Sequence, residues 1–511
     1  MLKRFPIAPL ALASFPILAM LAHNAKEVNL SVAIRPLLIS AFFSVFLLLG
    51  CRLILKRWDK ASLVASFLIT LFFTYGHVYS LLEQHPIGTI NFGRHRYLIF
   101  IYAVILVIGL WLLTFKLNNA SLVLYPANII ALLLLAAPII QLSAFSIQSS
   151  MQQQQVVTAN ASLDLPLKPA VQPLPDVYYI VLDSHTRSDA LLEDYGLDNS
   201  VYLDALRQIG FYIADCSRSN YGYTQASIVA ALNMDYLDNL GPYLQSMNSD
   251  DIWILLKQSR VRRLLENAGY KTVAFDTGYE WSRLEDADIY LSLGSDSYSL
   301  QKINPFEAML IKSTAVLILS DSQNQLLRSQ FQEVNFPYSY HVNSQRFILE
   351  QLPLIANDPD PTFTFAHLLI PHVPFVFTAD GDIVDDPLFY NGKLSWPSDD
   401  EHRRIGYTNE VQFIDSQMLQ IFTTILAKSK TPPIVIIHGD HGLMGENRFE
   451  ILNAYYLPGT GTEQLYPTIT PVNSFRIIFD TYFGTDYGLV KDTGISDNGE
   501  IVPETSKDCL P

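Results

Sequence analysis

Five long apolar stretches fill the first 150 residues: Phe5 to Ala22, Pro36 to Leu55, Leu63 to Leu82, Tyr97 to Phe115 and Leu122 to Ile147. A helix crosses the hydrocarbon of a bilayer with about 20 apolar residues, and each stretch meets or nearly meets that length. The pattern predicts five transmembrane helices. The first begins after Lys3 and Arg4 and contains prolines, as a signal peptide also does, but no A-x-A cleavage site follows it, so a retained helix is expected.

After Asp176 the pattern changes to short β-branched or aromatic runs alternating with amphipathic stretches. Strands are expected at Val177 to Leu182, Phe211 to Ala214, Thr272 to Phe275, Thr362 to Leu369, Ile434 to Ile437 and Leu452 to Leu457. Several of these are apolar on both faces, as buried parallel strands are. Val411, Ile414, Met418 and Ile425 share one face of a helical stretch ending near Lys428, and residues 251–267 and 342–355 read similarly. The expectation is an α/β domain over residues 176–511, with a largely parallel central sheet and helices on both faces. Residues 151–175 carry the run Gln152 to Gln155 and then Pro166, Pro169, Pro173 and Pro175, which reads as a partly extended Gln/Pro-rich linker between that domain and the anchor at 1–150.

Charge supports the division. The 511 residues carry a formal net charge of −15, yet residues 1–150 hold 11 Lys and Arg against 3 Asp and Glu, so the acidity belongs to the second half. An acidic domain is a poor partner for nucleic acid, and 12% aromatic residues exclude a disordered chain. Assigned alternately to the loops, Lys3, Arg4, Arg52, Lys56, Arg57, Lys60 and Lys116 lie on one side, and Lys26, Arg35, Arg94 and Arg96 on the other. The positive-inside tendency then places the N-terminus in the cytoplasm and everything after residue 150 outside. Three cysteines make no disulfide scaffold. Cys216 and Cys509 both fall outside the membrane, where a disulfide persists, but the sequence does not say whether they come close.

Two strand ends carry the candidate chemistry. Val-Tyr-Tyr-Ile-Val-Leu closes on Asp183, and Ile-Val-Ile-Ile-His438-Gly-Asp440-His441-Gly442 closes on an acid and an imidazole between glycines. Ligands of open α/β sheets sit beyond such carboxyl ends. Two carboxylates and an imidazole from separate strands suit Zn²⁺ or Mn²⁺. A turn capped by Asp beside a surface His is the alternative.

The motifs Tyr-Ile-Val-Leu-Asp183-Ser-His-Thr-Arg, Ser219-Asn-Tyr-Gly-Tyr-Thr224, Leu-Leu-Ile-Pro371-His372-Val-Pro-Phe and Gly439-Asp440-His441-Gly442 together resemble the sulfatase-like branch of the alkaline phosphatase superfamily. The membrane-anchored members, such as lipoteichoic acid synthases and phosphoethanolamine transferases, are the most similar. The resemblance spans roughly residues 176–484. It implies one divalent metal held by Asp183, Thr224, Asp440 and His441, with Thr224 also the nucleophile and His372 engaging the substrate. Read alone, Thr224 before the helical run Gln225 to Met234 is an ordinary N-cap. As a nucleophile it gains from the helix N-terminus, which favours an alkoxide and an anionic substrate. Formylglycine chemistry is disfavoured: a threonine cannot form the aldehyde, and Cys216-Ser-Arg-Ser-Asn lacks the C/S-x-P/A-x-R context.

The resemblance thus implies transfer of a phospho group, of phosphoglycerol or phosphoethanolamine type, from a membrane-borne donor to an envelope acceptor at a bacterial inner membrane, through a phosphothreonine, with an anionic lipid or an envelope glycan as the substrate partner. Hydrolysis of sulfate or phosphate esters on extracellular glycans is the rival enzyme reading, and a non-catalytic envelope scaffold or transport-associated protein the rival non-enzyme one. Few charges lie within the apolar stretches, which counts against a transport pathway. His185, Arg187, His367 and Arg448 are weaker candidates for binding the substrate, His367 reading more readily as a core histidine within its apolar run and His438 as a packing residue. The sequence leaves the oligomeric state open.

Overall fold

The computed structural model describes residues 6–511 except 27, 86–93, 162–166, 169–172, 241–251, 279–281, 294–302, 322–330, 332–333, 335–337, 392–394, 446, 460, 497, 504–508 and 510–511. Its contacts divide the chain into two units, residues 1–148 with 299–340, and residues 149–298 with 341–511.

The first unit is helical: α1 (Ala8–His23), α2 (Ile34–Leu55), α3 (Trp58–Gln84), α4 (His95–Trp111, continued by a π turn to Lys116) and α5 (Ala120–Ala161). Four segments are long and apolar enough to cross a membrane: Leu30–Leu55, Trp58–Glu83, His95–Lys116 and Ala120–Gln152. α1 is apolar but 16 residues long, about 24 Å, so the expected fifth span falls short of a full bilayer core. Phe42, Phe46, Leu53, Phe100, Val107 and Phe115 stand exposed on α2 and α4 and their ends, an outward apolar surface suited to lipid rather than water.

The sequence-based boundaries need two corrections. α5 runs unbroken to Ala161, so the Gln run is helical rather than extended; Gln, Ala and Met are good helix formers, and Pro166 and Pro169 lie outside the described residues. Residues 299–340, read from sequence as part of the outer domain, belong to the helical unit. There the helix Pro305–Ser313 starts with a capping box between Asn304 and Glu307, and Phe306 packs against Ile17, Leu21, Ile69 and Phe73. Glu307 also forms a bidentate ion pair with Arg35. Gly76 of α3 permits this docking, because a Cβ there would lie 2.0 Å from the Lys312 carbonyl oxygen.

The second unit is built on a seven-stranded sheet of β1 (Val177–Leu182), β2 (Tyr212–Ile213), β3 (Lys271–Phe275), β4 (Ile289–Leu291), β5 (Thr362–Leu368), β6 (Ile434–Gly439) and β7 (Asn453–Tyr456), in the order β2-β7-β6-β1-β5-β3-β4. The strands from β6 to β4 pair in parallel, and β7 and β2 run antiparallel at one edge. The expected largely parallel α/β sheet is present, and β4 is an element the sequence pattern did not reveal. β1 is wholly buried, between β5 and β6. One face, carrying Val177, Tyr179, Val181, Phe365 and Ile436, packs under the helices Thr224–Asn233 and Pro471–Tyr482. The helix Asp400–Lys428 buries Val411, Ile414, Met418 and Ile425 as their spacing predicts.

That last helix also buries a carboxyl. Glu410 is fully enclosed, and its Oε1 accepts the N–H groups of Val376 (2.7 Å) and Phe377 (3.2 Å), steadying the chain after His372. Burial pushes the Glu410 carboxyl well above its ordinary range, and the two N–H groups offset this only in part. Its contribution to stability is therefore full below the unfolded pKa and is lost as pH rises toward the folded one. Glu410→Gln keeps the acceptor and removes the ionisation. Thermal melts of the variant should match wild type at pH 4 and exceed it by a few degrees at pH 8.

Cys216 and Cys509 are joined, with Cα atoms 5.4 Å apart, which settles the pairing that the sequence left open.

Candidate active site

The pleat of β1, β5 and β6 decides which polar groups meet. In register, Val181 lies between His367 and His438, and Leu182 between Leu368 and Gly439. Side chains two apart share a face, so Asp183 and Asp440, just beyond the carboxyl ends, project to the same side as Val181 and His367. That side carries the helix Thr224–Asn233, whose first residue is Thr224. Three strand ends and one helix N-terminus thereby converge.

Asp183, His367 and Asp440 are all buried, and their potential ligand atoms lie within 4.8 Å of one another. His367 Nε2 is 3.3 Å from Asp183 Oδ2. Asp440 Oδ1 accepts the backbone N–H groups of Ser184 and His441, both at 2.9 Å, while its Oδ2 is buried with no hydrogen-bond partner. His441 Nε2 lies 3.5 Å from that oxygen and 3.1 Å from Thr224 Oγ1. The sequence-predicted set of Asp183, Thr224, Asp440 and His441 is thus brought together, with His367 added to it.

Carbonyl oxygens set the imidazole tautomers. His441 Nδ1 donates to Gly442 O at 2.8 Å, so in the neutral ring the lone pair is on Nε2, the nitrogen that faces Thr224 and Asp440. His372 Nδ1 likewise donates to Val373 O at 2.8 Å, and its ring stands 6.5 Å from that of His441. Burial pushes the Asp183 carboxyl up, but the imidazoles of His372, His367 and His441 outweigh this and hold it well below the usual carboxylate range. Thr224 is not an N-cap. Tyr223 holds that position without a capping side chain, and the Thr224 hydroxyl is directed at His441.

The donors fit a divalent cation. Four ligands at about 2.0–2.2 Å in tetrahedral array stand roughly 3.3–3.6 Å apart. The 3.3 and 3.5 Å separations fall within that spacing and the 3.1 Å one just below it, and the buried Asp440 Oδ2 has no hydrogen-bond partner that a bound cation would have to displace.

The weaker sequence candidates divide. Arg448 packs beside the turn that leads to Thr224: its Nε is buried with no hydrogen-bond partner and would lie 3.7 Å from a Cβ at Gly222, two residues before Thr224. His185 instead lies behind the site, fully buried, with Nε2 2.8 Å from Asp415 Oδ1 and Nδ1 directed at Thr186 O, so it has no surface to offer a substrate. Arg187 is 3% exposed and engaged by Asp189 and the Ser217 carbonyl, anchoring the loop rather than reaching the cleft. His438 donates through Nδ1 to Gly439 O and accepts from Tyr179 OH at 2.8 Å; burial holds it down at about 4, a neutral packing residue. His341 was missed. Its Nε2 is buried without a partner, and burial, then the neighbouring His372, hold its imidazole down at about 4, while Asp183 pulls the other way. A lone His in an amphipathic helix gives no sequence signal of this.

The two metal-facing loops cross closely. A Cβ on Gly439 would lie 2.2 Å from the His185 carbonyl oxygen, so only glycine lets the Asp183 and Asp440 turns touch.

No curated protein matches the chain. Among solved structures, the C-terminal periplasmic domain of EcEptC from Escherichia coli in complex with Zn is 14% identical, with 62% of this chain and 86% of that one covered and a TM-score of 0.38. The integral membrane protein lipooligosaccharide phosphoethanolamine transferase A from Neisseria meningitidis is 12% identical, over 90% and 89% of the two chains, at 0.33. The phosphonate monoester hydrolase of Agrobacterium radiobacter is 15% identical, over 63% and 79%, at 0.38. The Sulfatase family model matches residues 175–477, more than half of the chain and all of the strands and loops that build this site; the protein is a member of the Sulfatase family with apolar membrane-length helices at its N-terminal end.

Proposed function

We propose that this protein is a multi-pass membrane phosphotransferase. Its sulfatase-like domain works outside the membrane, with the N-terminus in the cytoplasm, and takes a phosphoglycerol- or phosphoethanolamine-type group from an anionic lipid onto Thr224. The observation that carries the reading is the Thr224 hydroxyl at a helix N-terminus, 3.1 Å from the lone-pair nitrogen of His441 in a cluster of two buried carboxylates. Asp183, Asp440, His441 and Thr224 would hold one divalent ion, Zn²⁺ or Mn²⁺, with His367 beside them. When bound, such an ion supplies positive charge that favours the Thr224 alkoxide and a phosphoryl group carrying more negative charge.

The chain's own groups do the rest. Thr224 gives up its proton to solvent once, before the first turnover, and the alkoxide Oγ forms a bond to phosphorus while the bond from phosphorus to the donor's leaving oxygen breaks. His372, protonated on Nε2, gives that proton to the leaving oxygen. An acceptor alcohol then attacks the phosphothreonine and returns its proton to His372, and Thr224 leaves as the alkoxide. The N-terminus of the helix Thr224–Asn233 and the Arg448 guanidinium favour the anionic group throughout.

Turnover of a phosphodiester model substrate in the presence of increasing glycerol tests the reading. A transferase yields a rising share of glycerol ester at the expense of free phosphate monoester. Release of the monoester alone at every glycerol concentration refutes transfer and leaves hydrolysis.

A further inference from the structure

Four residues before Thr224, Asn220 is fully buried, and both of its side-chain polar atoms are hydrogen-bonded. The two hydrogens of its Nδ2 are shared among Thr470 Oγ1 (2.9 Å), Tyr236 OH (3.1 Å) and the Thr493 carbonyl (3.2 Å). Its Oδ1 accepts Val472 N–H at 3.0 Å, satisfying one of the open donors in the first turn of the helix Pro471–Tyr482, and its own carbonyl accepts Ile495 N–H at 2.9 Å. The segment Lys491–Ile495 is bound into the same group. Asp492 Oδ1 accepts from Thr470 N and Oγ1 at 2.9 and 2.6 Å, and Tyr236 OH donates to Lys491 O and accepts from Thr493 N.

We propose that Asn220 is a positioning residue for Thr224: with Thr470 and the segment Lys491–Ile495 it clamps the turn that sets the nucleophile's hydroxyl against His441. This rests on Thr224 being the nucleophile. The turn has no freedom on its other side. Ser219 N–H donates to Phe449 O at 2.7 Å, and a Cβ on Gly222 would lie 3.3 Å from the Phe449 ring. Tyr221 bridges to Ile495, and its hydroxyl accepts Leu237 N–H beyond the nucleophile helix. Without Asn220 the turn loses its link to Thr470, Val472 and Thr493 together. A shift of about 1 Å at the nucleophile is enough to cost roughly 100-fold in rate.

The test uses the full chain in lipid nanodiscs with Zn²⁺ and a phosphodiester model substrate. At saturating Zn²⁺, Asn220→Ala and Thr470→Val should each lower kcat about 10- to 100-fold, with KM and Zn²⁺ occupancy unchanged, while Thr470→Ser, which keeps the hydroxyl, restores kcat. Wild-type kcat in Asn220→Ala and Thr470→Val overturns the proposal. So does a loss that tracks the folded fraction or the bound metal, and so does an equal loss in Thr470→Ser. Thr224→Ala measured alongside separates the two claims: if it keeps turnover, the nucleophile assignment fails, whereas if it is inactive and Asn220→Ala is not, only the positioning role fails.

Discussion

Thr224→Ala should abolish phosphodiester turnover, by at least about 10³-fold, because it removes the oxygen that forms the covalent bond to phosphorus. The hydroxyl is partly exposed at the start of its helix and directed at His441 Nε2. Removing it takes away one of the four proposed ligands but leaves His441 Nε2, the two buried carboxylates and His367, so at saturating Zn²⁺ metal and substrate should still bind. The measurement is steady-state kinetics on a phosphodiester and a sulfate ester, with mass spectrometry of quenched enzyme for a phospho adduct on the peptide containing Thr224. The expected result is a fall in kcat with KM held within about threefold, the pattern of an interaction made in the transition state, and loss of the adduct. Turnover of the phosphodiester at the wild-type rate would remove Thr224 from the mechanism, whatever its role at the metal.

Thr224 also marks where sequence reasoning ends. A threonine opening a helix is ordinary by residue type; only the fold shows Tyr223 at the cap and the hydroxyl turned to His441. Asp183 and the Asp440-His441 pair were legible because an apolar strand closing on a charged residue is a local pattern, and local patterns survive in one dimension. His367 was not legible in this way. Its apolar neighbours Phe365, Ala366 and Leu368 describe a core position, and what brings it to Asp183 is the register of β5 against β1, a pairing between residues 186 apart. His185 and Arg187 fail in the opposite direction: beside a strand end they read as loop residues open to a ligand, but Asp415 and Asp189, far and near in sequence, take up both. The same limit governs residues 299–340, whose composition fits the outer domain and whose Phe306 and Glu307 find partners in the helical unit. The parallel sheet and the long helix Asp400–Lys428 were legible because periodicity reports burial directly, whereas the antiparallel β7 looks the same as a parallel strand until its neighbours are known.

Asp440→Asn should remove metal binding while leaving the fold intact, and the two oxygens of Asp440 are the reason. Oδ1 is engaged by Ser184 N–H and His441 N–H, contacts that an asparagine carbonyl oxygen reproduces. Oδ2 is buried and without a hydrogen-bond partner, and replacing it with an amide nitrogen takes away a negative charge and a ligand atom at once. Without metal the variant should melt at or above the wild-type temperature, since a buried carboxylate oxygen with no hydrogen-bond partner is gone. With Zn²⁺ at 100 times the wild-type Kd, wild type should gain about 2.7 kcal/mol of stability, while the variant, its affinity lowered by at least about 100-fold, should gain less than about 0.5 kcal/mol. Calorimetric titration of Zn²⁺ and Mn²⁺ and thermal melts with and without each ion check both statements independently of activity. An equal metal-induced rise in melting temperature in the variant and in wild type would show that Asp440 is no ligand, and would move the ion, if one binds, toward Asp183 and His367.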